Sequence, residues 1–219
     1  MNYRRVVHNF FTFCATRGYC TGNPVAQASK PKVPPKAIGI LSVDEARALL
    51  SACPDTIRPA VAIVMFAGLR REEITQLDWR AIDLDRRFIE VAAEKSKTAQ
   101  RRLVTISDNL HAWLAPFRAI SGSVMPPAIT YRRKFQRALQ AAGIESWKPN
   151  ALRHSFASYH LAAHQDAART ALELGHIESR TLFQHYRELI RPEDAQAFWR
   201  IAPGKDEGGK VIALERKVA

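Results

Sequence analysis

The chain has 219 residues, enough for one domain with a substantial core, with or without a small appendage. Apolar residues make up 47% and charged residues 25%, a globular composition rather than a disordered or membrane-spanning one. The formal net charge of +12 argues against the usual roles of acidic proteins and points to a polyanion as partner.

The charge is unevenly spread. Residues 1–40 hold Arg4, Arg5, Arg17, Lys30, Lys32 and Lys36 and no acidic residue; a second cluster is Arg132, Arg133, Lys134 and Arg137. Such clusters neutralise phosphates, so Arg4, Arg5, Lys30, Lys32, Lys36 and the second cluster are the candidate DNA-binding residues. The longest apolar run, Pro59 to Leu69, is too short to span a bilayer, and the start MNYRRVVHNFF lacks the pattern of a signal peptide. Cys14, Cys20 and Cys53 are odd in number and have no metal-ligand spacing, so they read as reduced thiols. The expectation is a cytoplasmic location without membrane contact.

In chain order, residues 3–17 carry apolar positions at helical spacing: Val6, Phe10, Phe11, Phe13 and Cys14. A lone helix of this length cannot bury so many aromatics by itself. Residues 25–39, with Pro31, Pro34 and Pro35 among lysines, read as a basic linker. A compact domain is expected over 40–202. It opens on a capping box from Ser42 to Glu45, followed by Ala46, Leu49, Leu50 and Cys53 at helical spacing. Residues 56–67 predict a buried helix ended by Gly68, and 71–78 a short helix. The period then changes. Phe88 to Val91 and Arg102 to Ile106 predict strands joined by the polar stretch Glu94 to Gln100. Helices are expected again at 108–117, 129–142, 150–163, 166–174, 180–189 and 192–200. Residues 203–219 read as a tail whose Val211 to Leu214 patch could dock.

Four stretches hold residues suited to chemistry. FAGLRREEITQLDW (66–79) places Arg70 after a glycine turn, with Glu73 three residues on. AEKSKTAQRRLVTI (93–106) places Lys95 and Lys97 between strands. KPNALRHSFASYH (148–160) sets Arg153 at the rim of an apolar helix face, with Asn150 one turn earlier. LELGHIESRTLFQHYRE (172–188) holds His176 after a glycine and Tyr186 in an apolar-periodic segment. Each alone has an ordinary reading: an exposed ion pair, solvated lysines, a snorkelling arginine, a buried tyrosine.

The ordered set is more specific. GLRxxE, a lysine between strands, LRH, LGH and then HY resemble the catalytic domain of the tyrosine recombinases, the phage integrase family, over roughly residues 40–200. Residues 1–24 resemble the last helix of that family's N-terminal core-binding domain, here incomplete. The resemblance implies an α+β fold, mostly α, with a small antiparallel β-sheet. It also implies an enzyme that cuts and rejoins double-stranded DNA through a covalent 3′-phosphotyrosine, without metal, ATP or other cofactor. Its assembly would be a homo-tetramer on DNA and a monomer when free.

The resemblance further implies roles. Arg70 and Arg153 match the two arginines that hold the scissile phosphate, and Glu73 matches the acid that supports the first. Lys97 matches the hairpin lysine better than Lys95. His176 matches the histidine of LGH and Tyr186 the nucleophile, with Tyr159 the next candidate. Asn150 stands where the family most often has histidine. These residue types suit the reaction. Guanidiniums grip phosphate oxygens in a fixed fork and stay charged. A tyrosine hydroxyl must shed its proton to attack, and the phosphotyrosyl bond conserves the energy of the broken one. Clustered carboxylates of the two-metal nuclease kind are not found in the sequence. Two rival readings remain: a DNA-binding relic or regulator without strand transfer, and a type IB topoisomerase-like activity that relaxes supercoils.

Overall fold

The computed structural model describes residues 3–29, 38–92, 101–119, 121–175 and 190–204. The chain divides into two units, Met1–Ala37 and Ile38–Ala219.

In the first unit, helix α1 spans Tyr3–Thr16. It buries none of its residues; Tyr3, Val6, Phe10 and Phe13 are exposed. The turn at 24–26 folds back on it. Asn23 Nδ2 donates to the His8 carbonyl and to Thr12 Oγ1, both at 2.9 Å. Arg4 Nη2 donates to the carbonyls of Val25 (3.0 Å) and Ala28 (3.2 Å).

The second unit is α+β and mostly helical. Helix α2 (Val43–Ala52) starts at the expected capping box: Ser42 Oγ accepts from Glu45 N, and Glu45 Oε2 from Ser42 N. Helix α3 (Arg58–Ala67) is the centre of the core. Its sequence is apolar almost all round, and Pro59 to Ile63 and Met65 to Ala67 are all buried, as befits a helix enclosed on every side. It begins two residues later than expected, because Pro59 is best tolerated in a first turn, where no N–H is required. It ends at Gly68, which is left-handed at φ +64°. A Cβ there would lie 2.4 Å from the Phe156 ring, so both the conformation and the packing require glycine.

Helix α4 is shorter than predicted, Arg71–Thr75. Asp78 caps a separate 3₁₀ turn at Trp79–Ala81 by accepting from Arg80 N. A two-residue strand that the period could not reveal, β1 (Ile82–Asp83), pairs antiparallel with β2 (Phe88–Val91). Strand β2 pairs antiparallel with β3 (Arg102–Thr105), with Ile89 opposite Val104 and Val91 opposite Arg102. The sheet order is β1-β2-β3.

Helix α5 (Asp108–Leu114) gives way to a 3₁₀ turn at Ala115–Phe117, where Pro116 lacks the N–H to continue an α-helix. Helices α6 (Ala128–Ala141), α7 (Ala151–His164) and α8 (Ala167–Leu174) follow near their expected bounds, and α9 spans Pro192–Trp199. The helix expected at 180–189 lies outside the described residues, as do most of the linker and the tail. Helix α7 packs on α3 and α9. Phe198 of α9 stacks on Tyr159 of α7, ring centroids 3.9 Å apart, and tilts against Phe66 of α3. Among the described residues no helix is long and apolar enough to cross a membrane.

Candidate active site at the end of helix α8

The last carbonyls of an α-helix have no partner within it and carry the negative end of its dipole. At the end of α8 three successive carbonyls each accept from a different arginine. Arg102 Nε donates to Glu173 O (3.2 Å), Arg153 Nη2 to Leu174 O (2.8 Å), and Arg70 Nη2 to Gly175 O (2.7 Å). Charge-assisted bonds of this kind contribute roughly 1.5–3 kcal/mol each. They also fix the three guanidiniums before anything binds.

Each arginine arrives for a local reason. Arg70 follows the left-handed Gly68, which turns the chain sharply out of α3. Glu73, three residues on, accepts from Arg70 N at 2.7 Å and from Arg70 Nη1 at 2.9 Å, so one carboxylate caps α4 and holds the guanidinium. Arg153 sits in the first turn of α7 and also donates through Nη1 to Gly68 O. Gly175 is left-handed at φ +62°, and a Cβ there would press on the Arg102 guanidinium at 3.0 Å.

Glu73 has its side chain only 1% exposed. Burial acts to raise its pKa, but the hydrogen bonds and charges of Arg102 and Arg70 outweigh it and hold the carboxyl down at about 2. The sequence pointed to Arg70, Glu73 and Arg153, and the structure brings them together. It left out Arg102, whose two terminal nitrogens meet both oxygens of Glu73 at 2.9 and 2.8 Å. It also left out Glu173, whose carboxylate accepts from Thr105 N (3.1 Å) and Thr105 Oγ1 (2.7 Å) and so fastens β3 to α8.

Asn150 is exposed, precedes α7 and has left-handed backbone, φ +60°, which asparagine adopts more readily than most residues. Lys97, Lys95, His176 and Tyr186 lie outside the described residues, as do Lys30, Lys32 and Lys36. In sequence, His176 follows Gly175 directly. Tyr159 does not suit a nucleophile. It is 2% exposed, its hydroxyl donates to the Leu41 carbonyl at 2.9 Å, and burial pushes its pKa up to about 12. Arg132, Arg133 and Arg137 are exposed on α6, while Lys134 is half-buried and donates to Thr56 Oγ1 at 2.6 Å. Arg5 is exposed, whereas Arg4 is half-buried and turned to the carbonyls of its own unit.

A cleft of about 660 Å³ lies on the far part of α7, lined by Phe156, His160, His164 and Trp199 among others. His160 is buried there, with Nδ1 2.8 Å from Thr170 Oγ1.

Residues 40–191 match the family model described as the phage integrase family. With that match over most of the compact unit, the chain belongs to this family, the tyrosine recombinases. Tyrosine recombinase XerC of Xanthomonas axonopodis pv. citri (strain 306) is 30% identical over 209 residues, covering 85% of this chain and 68% of that protein. The integrase of Salmonella phage P22 is 27% identical over 185 residues, covering 76% of this chain and 47% of that one. The chain thus spans about half to two thirds of the length of these relatives. Among solved structures, a lambda integrase tetramer bound to a Holliday junction matches with a TM-score of 0.65 at 21% identity, over 83% of this chain and 57% of that chain. That likeness establishes the fold.

Proposed function

We propose that this chain cleaves and rejoins double-stranded DNA at a defined site through a covalent 3′-phosphotyrosine. The observation that carries the reading is the pair of guanidiniums, Arg70 and Arg153, fixed on adjacent carbonyls of α8 directly before His176 in sequence. Membership of the phage integrase family supports it.

In this reading Arg70 and Arg153 bind the non-bridging oxygens of the scissile phosphate, and their field stabilises the charge that builds in the transition state. Tyr186 Oη gives its proton to solvent and attacks phosphorus. The bond from phosphorus to the 5′ oxygen breaks, and Lys97 gives that oxygen a proton, so it leaves as a hydroxyl. His176 donates a hydrogen bond to the phosphate, and Asn150 donates another. Rejoining is the reverse: a 5′ hydroxyl attacks the phosphotyrosyl phosphorus and releases Tyr186. One phosphoester is exchanged for another at each step, so the energy of the broken bond is conserved and no ATP is needed. Exposed Arg5, Arg132, Arg133 and Arg137, with Lys30, Lys32 and Lys36, contribute phosphate contacts that strengthen binding without reading sequence, whereas Arg4 and Lys134 are engaged within the protein. Four copies on two duplexes form the working assembly.

The test is a pool of nicked duplexes with randomised centres. Cleavage beside the nick frees a short fragment, and rejoining fails, so a DNA-linked protein accumulates. The wild-type chain is expected to yield that adduct and Tyr186→Phe none, with duplex binding retained. Binding without adduct would make the chain a DNA-binding regulator. Supercoil relaxation without strand exchange would make it a topoisomerase.

A further inference from the structure

Arg102 is absent from the set proposed to touch DNA, yet it links three parts of the site: its own strand β3, the Glu73 carboxylate of α4 and the end of α8. Its Nη1 and Nη2 form two parallel bonds with the Glu73 carboxylate, and its Nε reaches the Glu173 carbonyl. Its side chain is 10% exposed and that of Glu73 1%. We propose that Arg102 is a positioning residue for strand cleavage: it locks Glu73 and ties β3, the strand that follows Lys97 in sequence, to the end of α8. The inference rests on the catalytic reading given above.

The geometry explains why an arginine is needed. A single lysine nitrogen cannot span both carboxylate oxygens and also reach a carbonyl on another helix. It explains, too, what Arg102 does for Arg70. Glu73 receives Arg70 N and Arg102 Nη2 on one oxygen, and Arg70 Nη1 and Arg102 Nη1 on the other. With both oxygens shared, Arg70 cannot close its fork over Glu73. It offers one nitrogen to Glu73 and the other to Gly175. Without Arg102, the buried carboxylate has Arg70 as its sole cation among the described residues, and the guanidinium is free to rotate onto both oxygens. It then leaves Gly175, and the turn before His176 loses two of its three holds. Stability alone is a poor reason to keep such a pair, since a buried ion pair is often no more stabilising than apolar packing.

The experiment uses the full chain and a duplex recovered from the adduct pool, with protein at saturating and at half-saturating concentration. Arg102→Ala is expected to slow adduct formation at saturation on the order of 100-fold, the scale of a small misplacement of reacting groups. Duplex affinity should stay the same, because all three Arg102 nitrogens are engaged within the protein. Arg102→Lys should fall between Arg102→Ala and wild type, since it restores the charge but not the fork. Wild-type rates for a folded Arg102→Ala, or a loss traced wholly to weaker binding, would overturn the inference. If Arg102→Ala does not fold, the melting transition of Arg102→Lys decides. A folded Lys variant that is slow at saturation supports the inference, and one at the wild-type rate overturns it. Failure of both to fold assigns Arg102 to stability alone and also overturns it. No adduct from wild type would instead sink the catalytic reading, and this inference with it.

Discussion

Arg70 and Arg153 are held by adjacent peptide groups: Arg70 Nη2 lies 2.7 Å from the Gly175 carbonyl and Arg153 Nη2 2.8 Å from that of Leu174. One helix end thus sets the spacing of two guanidiniums that come from distant parts of the sequence. Arg70→Ala and Arg153→Ala are each expected to slow adduct formation by about 100- to 1,000-fold, the cost of losing one preorganised contact to a transition-state oxyanion. Binding should weaken only modestly, since each removes one phosphate contact from a large basic surface. Single-turnover rates within a few-fold of wild type for both variants would show the site to be elsewhere.

Glu73→Gln tests the buried carboxylate. It leaves Arg70 and Arg102 without their shared anion, and removing one partner of a buried pair costs about 3–5 kcal/mol. The pH dependence has a definite sign. Unfolded, a glutamate titrates near pH 4.3, and in the fold Glu73 titrates at about 2. Its contribution, on the order of 3 kcal/mol, is full above the unfolded value and is lost as pH falls through the folded one. Urea unfolding should therefore show the same deficit for Glu73→Gln at pH 5 and pH 8, narrowing only in strong acid. A deficit that changes between pH 5 and 8 would contradict the ionised carboxylate.

His160 predicts an acid sensitivity of the opposite residue type. Burial chiefly, helped by nearby His164 and Arg169, pushes its pKa down to about 3, while Asp166 acts weakly the other way. An unfolded histidine takes its proton near pH 6.5. Stability is thus complete above that value and declines as pH drops toward 3, by about 1.4 kcal/mol per unit for this one group. His160→Gln should be less stable at neutral pH, because it disturbs the contact to Thr170. It should also lose less stability between pH 6.5 and 4. An unchanged slope in denaturation midpoints over that range would show that His160 does not titrate as a buried neutral ring.

Asn150→His is expected to keep or raise activity. Asn150 has a left-handed backbone, and histidine, like asparagine, is among the side chains that tolerate this conformation. The side chain is exposed and makes no cap bond to α7, so little packing is lost. A large fall in cleavage with an unchanged melting temperature would assign Asn150 a specific hydrogen bond that histidine cannot replace.

Much of this fold is legible in the sequence because its signals are local. The continuous apolar run before Gly68 can only be an enclosed helix, and Ser42 with Glu45 names a helix start without reference to anything distant. Arg70, Glu73 and Arg153 were visible as candidates through the order of their motifs rather than through any one of them. Arg102 was not, although the strand period contained a clue. Alternation puts Arg102 on the side of Val104 and Ile106, which are buried, and leaves Leu103 outward at 57% exposure. A charged residue on the core face of a strand asks for a buried counter-charge, and Glu73 supplies it from another element. Strand β1 was illegible because two residues have no period. Tyr159 shows the reverse limit: its apolar helix face was visible, but only packing against Phe198 and Leu41 removes it as a nucleophile.

The most direct test of the central claim is to locate the DNA on the protein. The adduct from the wild-type chain is digested with nuclease and protease, and the nucleotide-bearing peptide is sequenced by mass spectrometry. The account predicts a single modified residue, Tyr186, linked through a 3′ phosphate. A nucleotide on any other residue, a 5′ linkage, or no modified peptide from a chain that binds and cuts DNA would contradict it.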